Sequence, residues 1–136
     1  MIKEIVKDKL LLSQKSIPAT KDDLAIITDL LDTIKANKDK CVGMAANMIG
    51  VNKNIIVIND NGKYLVMINP VILKKAGLYH AQEGCLCHDT LNPADRYHKI
   101  VVEYLDIDFK KKTKTFKEYS AQIIQHEIDH CNGILV

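Results

Sequence analysis

The sequence of 136 residues has no tryptophan, only 5% aromatic residues and no long apolar run. No stretch approaches the roughly 20 apolar residues of a membrane-spanning helix, and charges interrupt the first positions, so we expect neither a membrane anchor nor a secretory signal. Four cysteines without an export signal are typical of free thiols in a reducing cytoplasm. The length predicts one domain, residues 1–136, in the cytoplasm.

Positive charge is carried almost entirely by lysine, because Arg96 is the single arginine among 19 basic residues. A guanidinium fork binds carboxylates in a way that lysine cannot, so Arg96 either pairs with a carboxylate such as Glu83 or lies on the surface. A net charge of +2 gives no reason to expect sequence-specific nucleic-acid binding. A basic cluster could still touch ribosomal RNA weakly, or protect a hairpin edge from pairing; it comprises Lys110, Lys111, Lys112, Lys114 and Lys117.

The segment at residues 126–130 has the pattern His-Glu-Ile-Asp-His, with two imidazoles one helical turn apart and a carboxylate between them. Positions i and i+4 share one face of a helix, so His126 and His130 can converge on one divalent ion. Glu127 would lie beside that ion as a proton-transfer group. Two surface histidines are the plainer alternative, and metal-assisted hydrolysis is the predicted class.

The helical pattern around this segment indicates a buried face. The residues expected on it are Ile123, Ile124, Glu127, Ile128 and Cys131, with the two histidines at its edge and Gln122, Gln125 and Asp129 on the other side. A carboxylate facing an apolar wall is costly unless it has a partner or a raised pKa. Both conditions suit a general base next to a metal ion.

A catalytic metal site needs a third protein ligand and one open position. The candidates are Cys85, Cys87, His88, His80 and Cys41. Three of them follow Gly84 within four residues, where a backbone without a Cβ can approach closely.

Three motifs in order resemble the peptide deformylase family. They are Glu-Gly-Cys-Leu at 83–86, Gln-His-Glu-Ile-Asp-His at 125–130, and the glycine-rich segment Gly-Met-Ala-Ala-Asn-Met-Ile-Gly at 43–50. Ile-Asn-Pro at 68–70 falls where the family commonly has a strand end. The resemblance runs over essentially the whole chain.

The resemblance implies one divalent metal ion held by Cys85, His126 and His130, with Fe(II) in many members and Zn(II) or Ni(II) in others. It implies hydrolysis of the N-formyl group from the initiator methionine of nascent polypeptides. Glu127 would act as the general acid and base, and the backbone N–H of Leu86 would donate to the developing oxyanion. For the formyl-methionyl peptide it implies a backbone edge and a side-chain pocket formed by Val42, Gly43 and Ile123, with Leu86 also lining the pocket.

Several residues depart from the family pattern. Met48 replaces a motif glutamine whose amide donates to the oxyanion, and a thioether cannot donate. Cys87 replaces a serine and could become a fourth ligand, which would close the site. Cys41 replaces a glycine, and Asp89 stands where proline is common. The alternative function is therefore a weakly active or non-catalytic metal-binding relative; a zinc endopeptidase fits less well, because Cys85 has the deformylase context.

The secondary-structure pattern is of the α+β class, with antiparallel strands packed around a central metal-binding helix. Thr20 and Asp23 form a capping box before an amphipathic helix over residues 21–37. Asp-Asn-Gly at 60–62 predicts a hairpin turn. The predicted strands are 55–59, 64–69, 100–107 and 113–119, and the histidine helix is expected to be capped by Ser120 and to stop at Asn132-Gly133.

Overall fold

The computed structural model describes residues 1–136, except for the side chains of His88 and Asp89. The helices are α1 (Lys9–Leu12), α2 (Leu24–Ala36) and α3 (Glu118–Cys131), and short 3₁₀ turns cover Lys21–Asp23 and Ala46–Ile49. The strands are β1 (Gly43–Ala45), β2 (Ile55–Asp60), β3 (Lys63–Cys85), β4 (His88–Leu105) and β5 (Lys111–Lys117). None of the helices among the described residues has the length and apolarity to span a bilayer. His88 as a candidate metal ligand and Asp89 in place of a family proline are both predictions about side chains outside the described part of the structure.

The five strands form one antiparallel sheet in the order β1-β2-β3-β4-β5. The predicted hairpin between β2 and β3 is confirmed, and its turn residues Asn61 and Gly62 have φ angles of 52° and 94°. Two successive left-handed residues give the turn type whose twist matches the flanking strands. β1 and β5 are the two edges of the sheet.

Helices cover both faces of the sheet. Side chains alternate along a strand, so β2 directs Ile56 and Ile58 into a core shared with α3. It directs Ile55 and Val57 into a second core shared with α2. The predicted α+β class and the central position of the histidine helix are confirmed.

The predicted capping box precedes α2 as expected. The backbone N–H of Thr20 donates to Asp23 Oδ2 at 2.8 Å, and the Thr20 hydroxyl accepts from the N–H of Asp22 at 3.3 Å. A 3₁₀ turn follows, and the α-helix proper begins at Leu24. The prediction of a helix over 21–37 is therefore confirmed to within a residue at its C-terminal end.

The strand predicted to end at Asn69 continues to Cys85. Asn69 has a φ of 51° at a register shift between Ile68 and Val71, so the chain bulges and remains in the sheet. The Asn69 side chain accepts from the N–H of Ala19 at 2.8 Å and donates to its carbonyl at 3.1 Å. Bonds from a distant segment hold the bulge, and the local sequence did not indicate them.

The prediction that Ser120 caps the histidine helix was wrong. α3 begins at Glu118, and the capping position is Lys117, whose side chain makes no capping bond. Ser120 lies in the first turn of α3 and donates its hydroxyl to Asp60 Oδ1 at 2.7 Å. The helix thus starts directly from the end of β5, where its position is fixed by the sheet.

Candidate active site

The turn between β3 and β4 brings Cys85 against α3. The Sγ atom of Cys85 lies 3.3 Å from Nε2 of His130. His126, Glu127 and His130 each offer one ligand atom, and these three atoms lie within 4.8 Å of one another. The structure therefore assembles the three predicted ligands and the predicted base in one place.

Cys87 belongs to the same cluster. Its Sγ is 3.0 Å from Sγ of Cys85, and Cys85, Cys87 and His130 form a second group of possible ligands within 4.8 Å of one another. Cys85 is the last residue of β3 and Cys87 lies in the turn that follows, and their thiols face the same side. The hydrogen bond shared with Cys87 favours the protonated Cys85 thiol and, together with burial, raises the pKa of Cys85 to about 11.

The other candidate ligands lie elsewhere. His80 is exposed and contacts Asp95, with 2.6 Å between the ring nitrogen and the carboxylate. Cys41 lines the cleft above the site but belongs to neither ligand group, and burial raises its pKa to about 12. Sequence spacing alone could not separate these residues from Cys85.

A buried charge network holds His126. Glu83 accepts from the ring Nδ1 of His126 at 2.9 Å and from Gln122 at 2.9 Å. Arg96 donates to both oxygens of Glu83, at 2.9 and 2.7 Å, and its third nitrogen donates to Asp129 at 2.7 Å. Burial alone would raise the pKa of Glu83, but the bonds from His126 and Arg96 lower it to about 2.

This network fixes the orientation of the imidazole. An ionised carboxylate only accepts, so Nδ1 of His126 carries the proton and Nε2 faces the cluster. The interpretation of Arg96 as a partner of Glu83 is confirmed. Asp129 and Gln122 also belong to the network, which sequence reasoning missed, although both lie on the expected polar side of α3.

Glu127 is the most deeply desolvated carboxylate of the cluster. It is 4% exposed, and its Oε1 makes no hydrogen bond to any described residue. Burial raises the pKa of Glu127 to about 7, and the neighbouring His126 opposes that shift only in part. Such a group accepts and returns protons near neutral pH.

Gly43 makes room for Glu127. A Cβ at position 43 would lie 2.6 Å from Cγ2 of Ile123 and 2.7 Å from Oε2 of Glu127. Both contacts are closer than real Cβ atoms tolerate, so a side chain here would displace the carboxylate. The glycine is required by this close approach.

A cleft of about 540 Å³ opens over the cluster. Its lining includes every residue expected to contact substrate, namely Val42, Gly43, Leu86 and Ile123, together with Glu127. The carbonyl of Val42 accepts from Asn59 in β2, so alternation along β1 directs the backbone groups of Gly43 to the open edge of the sheet. An extended peptide can pair there.

Met48 lies at the inner wall of the cleft and is 1% exposed. It belongs to the 3₁₀ turn Ala46–Ile49, so the glycine-rich segment is a strand only as far as Ala45. The amide of neighbouring Asn47 is buried and donates to the carbonyl of His130 at 2.9 Å. The amide of Asn47 is thus hydrogen-bonded to α3 and does not take the place of the glutamine expected at position 48.

The placement of Gln125 on the polar side of α3 was wrong. Gln125 is 5% exposed. Its amide accepts from the N–H of Tyr97 and donates to the carbonyl of Tyr97, each at 2.9 Å. It is buried because it completes the hydrogen bonding of β4, a pairing that helical periodicity cannot reveal.

The cluster has the chemistry of a divalent metal site. One thiol and two imidazoles are ligands that bind transition metals, and Nδ1 of buried His130 is without a hydrogen bond to the described residues. Burial alone would lower the pKa of His126, but its hydrogen bonds with Cys85 and Glu83 outweigh burial and raise that pKa to about 10. Ion binding would therefore displace protons from both Cys85 and His126.

Arg96→Lys tests the network beneath the site. Lysine keeps the charge but loses the two-pronged contact with Glu83, so we expect the free energy of unfolding to fall by about 1.5–3 kcal/mol. Zinc affinity should fall roughly 10–100-fold, because a partner of a ligand is loosened. Urea unfolding and zinc titration measure the two effects. Lys99→Arg, an exposed change on the same strand, is the control. Equal unfolding midpoints for the wild type and both variants would contradict a stabilising role of the contact between the Arg96 guanidinium and Glu83.

Comparisons with known proteins agree with this geometry. A sequence model described as polypeptide deformylase matches residues 2–136. A protein of Clostridium beijerinckii named peptide deformylase is 52% identical over 136 residues, which is 100% of both chains. The crystal structure of a peptide deformylase from Legionella pneumophila has a TM-score of 0.91 at 32% identity, covering 99% of this chain and 83% of that one. The crystal structure of peptide deformylase from Thermotoga maritima has a TM-score of 0.90 at 26% identity, covering 99% and 95%. The family match covers nearly the whole chain, and the fold brings a cluster of possible metal ligands next to a buried glutamate. This chain therefore belongs to the polypeptide deformylase family of metal-dependent hydrolases.

Proposed function

We propose that this chain, as a single domain of residues 1–136, removes the N-formyl group from the initiator methionine of nascent polypeptides. The observation that carries the proposal is Glu127, a buried carboxylate beside the cleft. It lies between two histidines in the sequence of α3, and one of its oxygens has no hydrogen-bond partner among the described side chains. A merely structural site would have no use for such a costly group. Family membership supplies the reaction, and the cleft supplies room for the substrate.

Cys85, His126 and His130 are the proposed ligands of one divalent ion, with Fe(II) preferred and Zn(II) or Ni(II) as alternatives. When bound, the ion supplies a Lewis acid that polarises the formyl carbonyl and lowers the pKa of water. Glu83 keeps His126 in the tautomer that leaves Nε2 available. The turn at Cys85 holds the thiol against His130.

Glu127 is the proposed acid and base. Its carboxylate takes a proton from the attacking water and passes it to the departing amine, so that water and the formamide become formate and a free amino terminus. The raised pKa of Glu127, about 7, matches both transfers. Burial also keeps bulk water from competing for the proton.

Gly43 and Val42 are proposed to pair with the substrate backbone along the open edge of β1. Ile123 and Leu86 would line the pocket for the methionine side chain, and both border the cleft. The backbone N–H of Leu86, in the turn after Cys85, would donate to the oxyanion. Met48 offers no second donor at this wall.

The cytoplasm is the proposed location, because that is where formylated nascent chains occur. The exposed lysines of β5 provide a surface for weak contact with the ribosome, and the same lysines protect a sheet edge from pairing. Co-sedimentation with ribosomes at rising salt tests this contact, which screening should abolish.

Formate release from formyl-Met-Ala tests the function. Protein purified without oxygen and loaded with Fe(II) should produce one formate for each free amine. Acetyl-Met-Ala, in which a methyl group replaces the hydrogen on the reacting carbon, is the control substrate. A protein that holds one ion and releases no formate would contradict the proposal and favour a non-catalytic metal-binding relative.

A further inference from the structure

Cys87 faces into the site from the turn that carries Cys85. Residues Cys85 and His88 pair across the end of the hairpin, so Leu86 and Cys87 are the two central residues of a tight turn. This turn places the two sulfur atoms 3.0 Å apart and leaves Cys87 5% exposed. The Cys87 thiol is therefore directed at the metal-ligand cluster and away from solvent.

The possible ligand atoms fall into two overlapping groups. Cys85, Cys87 and His130 lie within 4.8 Å of one another, and so do His126, Glu127 and His130, so His130 is common to both groups. A neutral thiol is a weak hydrogen-bond donor, and an S–H···S bond alone gives little reason for so close a buried approach. A cation bound to both sulfurs would explain the close approach better, because the thiolate is the form of cysteine that binds metal.

Two thiolates and two imidazoles are the donor set of closed, four-coordinate zinc sites. We infer, resting on the proposed function of this site, that Cys87 is a fourth protein ligand of the divalent ion held by Cys85, His126 and His130. Cys87 binds as the thiolate, and its proton passes to solvent. Glu127 is left as the carboxylate beside the ion.

The fourth ligand makes the resting site closed. The position that substrate needs opens only when Cys87 leaves the ion, so Cys87 strengthens metal retention and slows turnover. The short side chain and the turn keep the thiol nearby after it leaves. Cys87→Ser is accordingly expected to hold zinc less tightly and to react faster.

X-ray absorption at the zinc edge of the zinc-loaded protein counts the sulfur ligands, which lie about 2.3 Å from the ion. We expect two sulfurs in the wild type and one in Cys87→Ser. Cys41→Ser is the matched control, because Cys41 is a cleft thiol outside both ligand groups, and it should retain two. A single sulfur in the wild type would overturn the inference.

Competition with a zinc chelator gives an independent measure. Cys87→Ser and Cys87→Ala should both bind zinc at least roughly tenfold more weakly than the wild type, since even the loss of a ligand's hydrogen-bond partner costs that much. The second variant excludes an effect of the new hydroxyl. Equal affinities in all three folded proteins would also overturn the inference.

Formate release separates this inference from the proposed function. If both hold, Cys87→Ser releases formate several-fold faster than the wild type. Two sulfurs in the wild type with no formate from either protein would reject the function and retain the ligand. One sulfur in the wild type with normal formate release would reject the ligand and retain the function.

Discussion

Glu127→Gln is expected to lower kcat for formyl-Met-Ala by roughly 10²–10⁴-fold. The amide keeps the shape of the side chain but neither takes the proton from water nor returns it to the amine. Zinc content should be unchanged, because the variant retains every proposed ligand. Glu118→Gln makes the same chemical change at the exposed first turn of the same helix and should retain wild-type turnover. A Glu127→Gln variant with wild-type kcat would remove Glu127 from the mechanism.

The proposed role of Glu127 also predicts how turnover depends on pH. The proposed role requires ionised Glu127, so the wild-type rate should fall at acid pH. The midpoint of that fall should lie below about 7, the pKa to which burial raises this group in the metal-free protein, because a nearby divalent cation favours the carboxylate. The folded metal-free protein holds this proton to a higher pH than the unfolded chain does. The contribution of Glu127 to stability therefore decreases as pH rises from the ordinary value of 4.5 to about 7, and Glu127→Gln should make the pH dependence of unfolding less steep over that window.

Met48→Gln is expected to raise kcat by roughly 10²–10³-fold, the usual effect of one oxyanion donor. Met48 lies on the wall of the cleft, and glutamine has nearly the same length, so its amide can reach into the space that the thioether now borders. The gain has a cost in stability, because Met48 is 1% exposed and packs in the core beneath α2. Burying an amide there should lower the free energy of unfolding by about 1–3 kcal/mol.

Met48→Leu is the control for that experiment, since it retains an apolar side chain of similar volume and adds no donor. Its kcat should stay at the wild-type level. Single-turnover formate release and urea unfolding measure both effects on the same samples. An unchanged kcat in folded Met48→Gln would mean that another group already stabilises the oxyanion, or that the step limiting turnover lies elsewhere.

Local pattern and chemistry predicted the parts of the fold that depend on neighbouring residues. The capping box at Thr20 and Asp23 and the Asn61-Gly62 turn were both recognisable because each is completed within four residues. The full extent of β3 and β4 was not recognisable from the sequence, because their outer halves are exposed and pair with each other. An exposed ribbon has no buried face to impose alternation on the sequence.

The same distinction applies to the site. The spacing of His126 and His130 predicted their convergence. For Arg96 the sequence left two interpretations open, pairing with Glu83 or a surface position, and the structure confirms the pairing. The position of Gln125 was wrong because its partners are backbone groups of Tyr97, 28 residues away. Contacts of that kind depend on the register of a strand against a helix, which a single sequence does not encode locally.

The length of β1 limits how many backbone pairs a substrate could form with the proposed binding edge. A strand of three residues at the edge of the sheet offers an incoming chain only one or two places to form backbone pairs. Backbone pairing near the reacting end does not depend on the side chains further along the substrate, so newly made chains of unrelated sequence should be processed at similar rates. The short strand thus suits an enzyme whose proposed substrates share their reacting end and differ in the residues that follow.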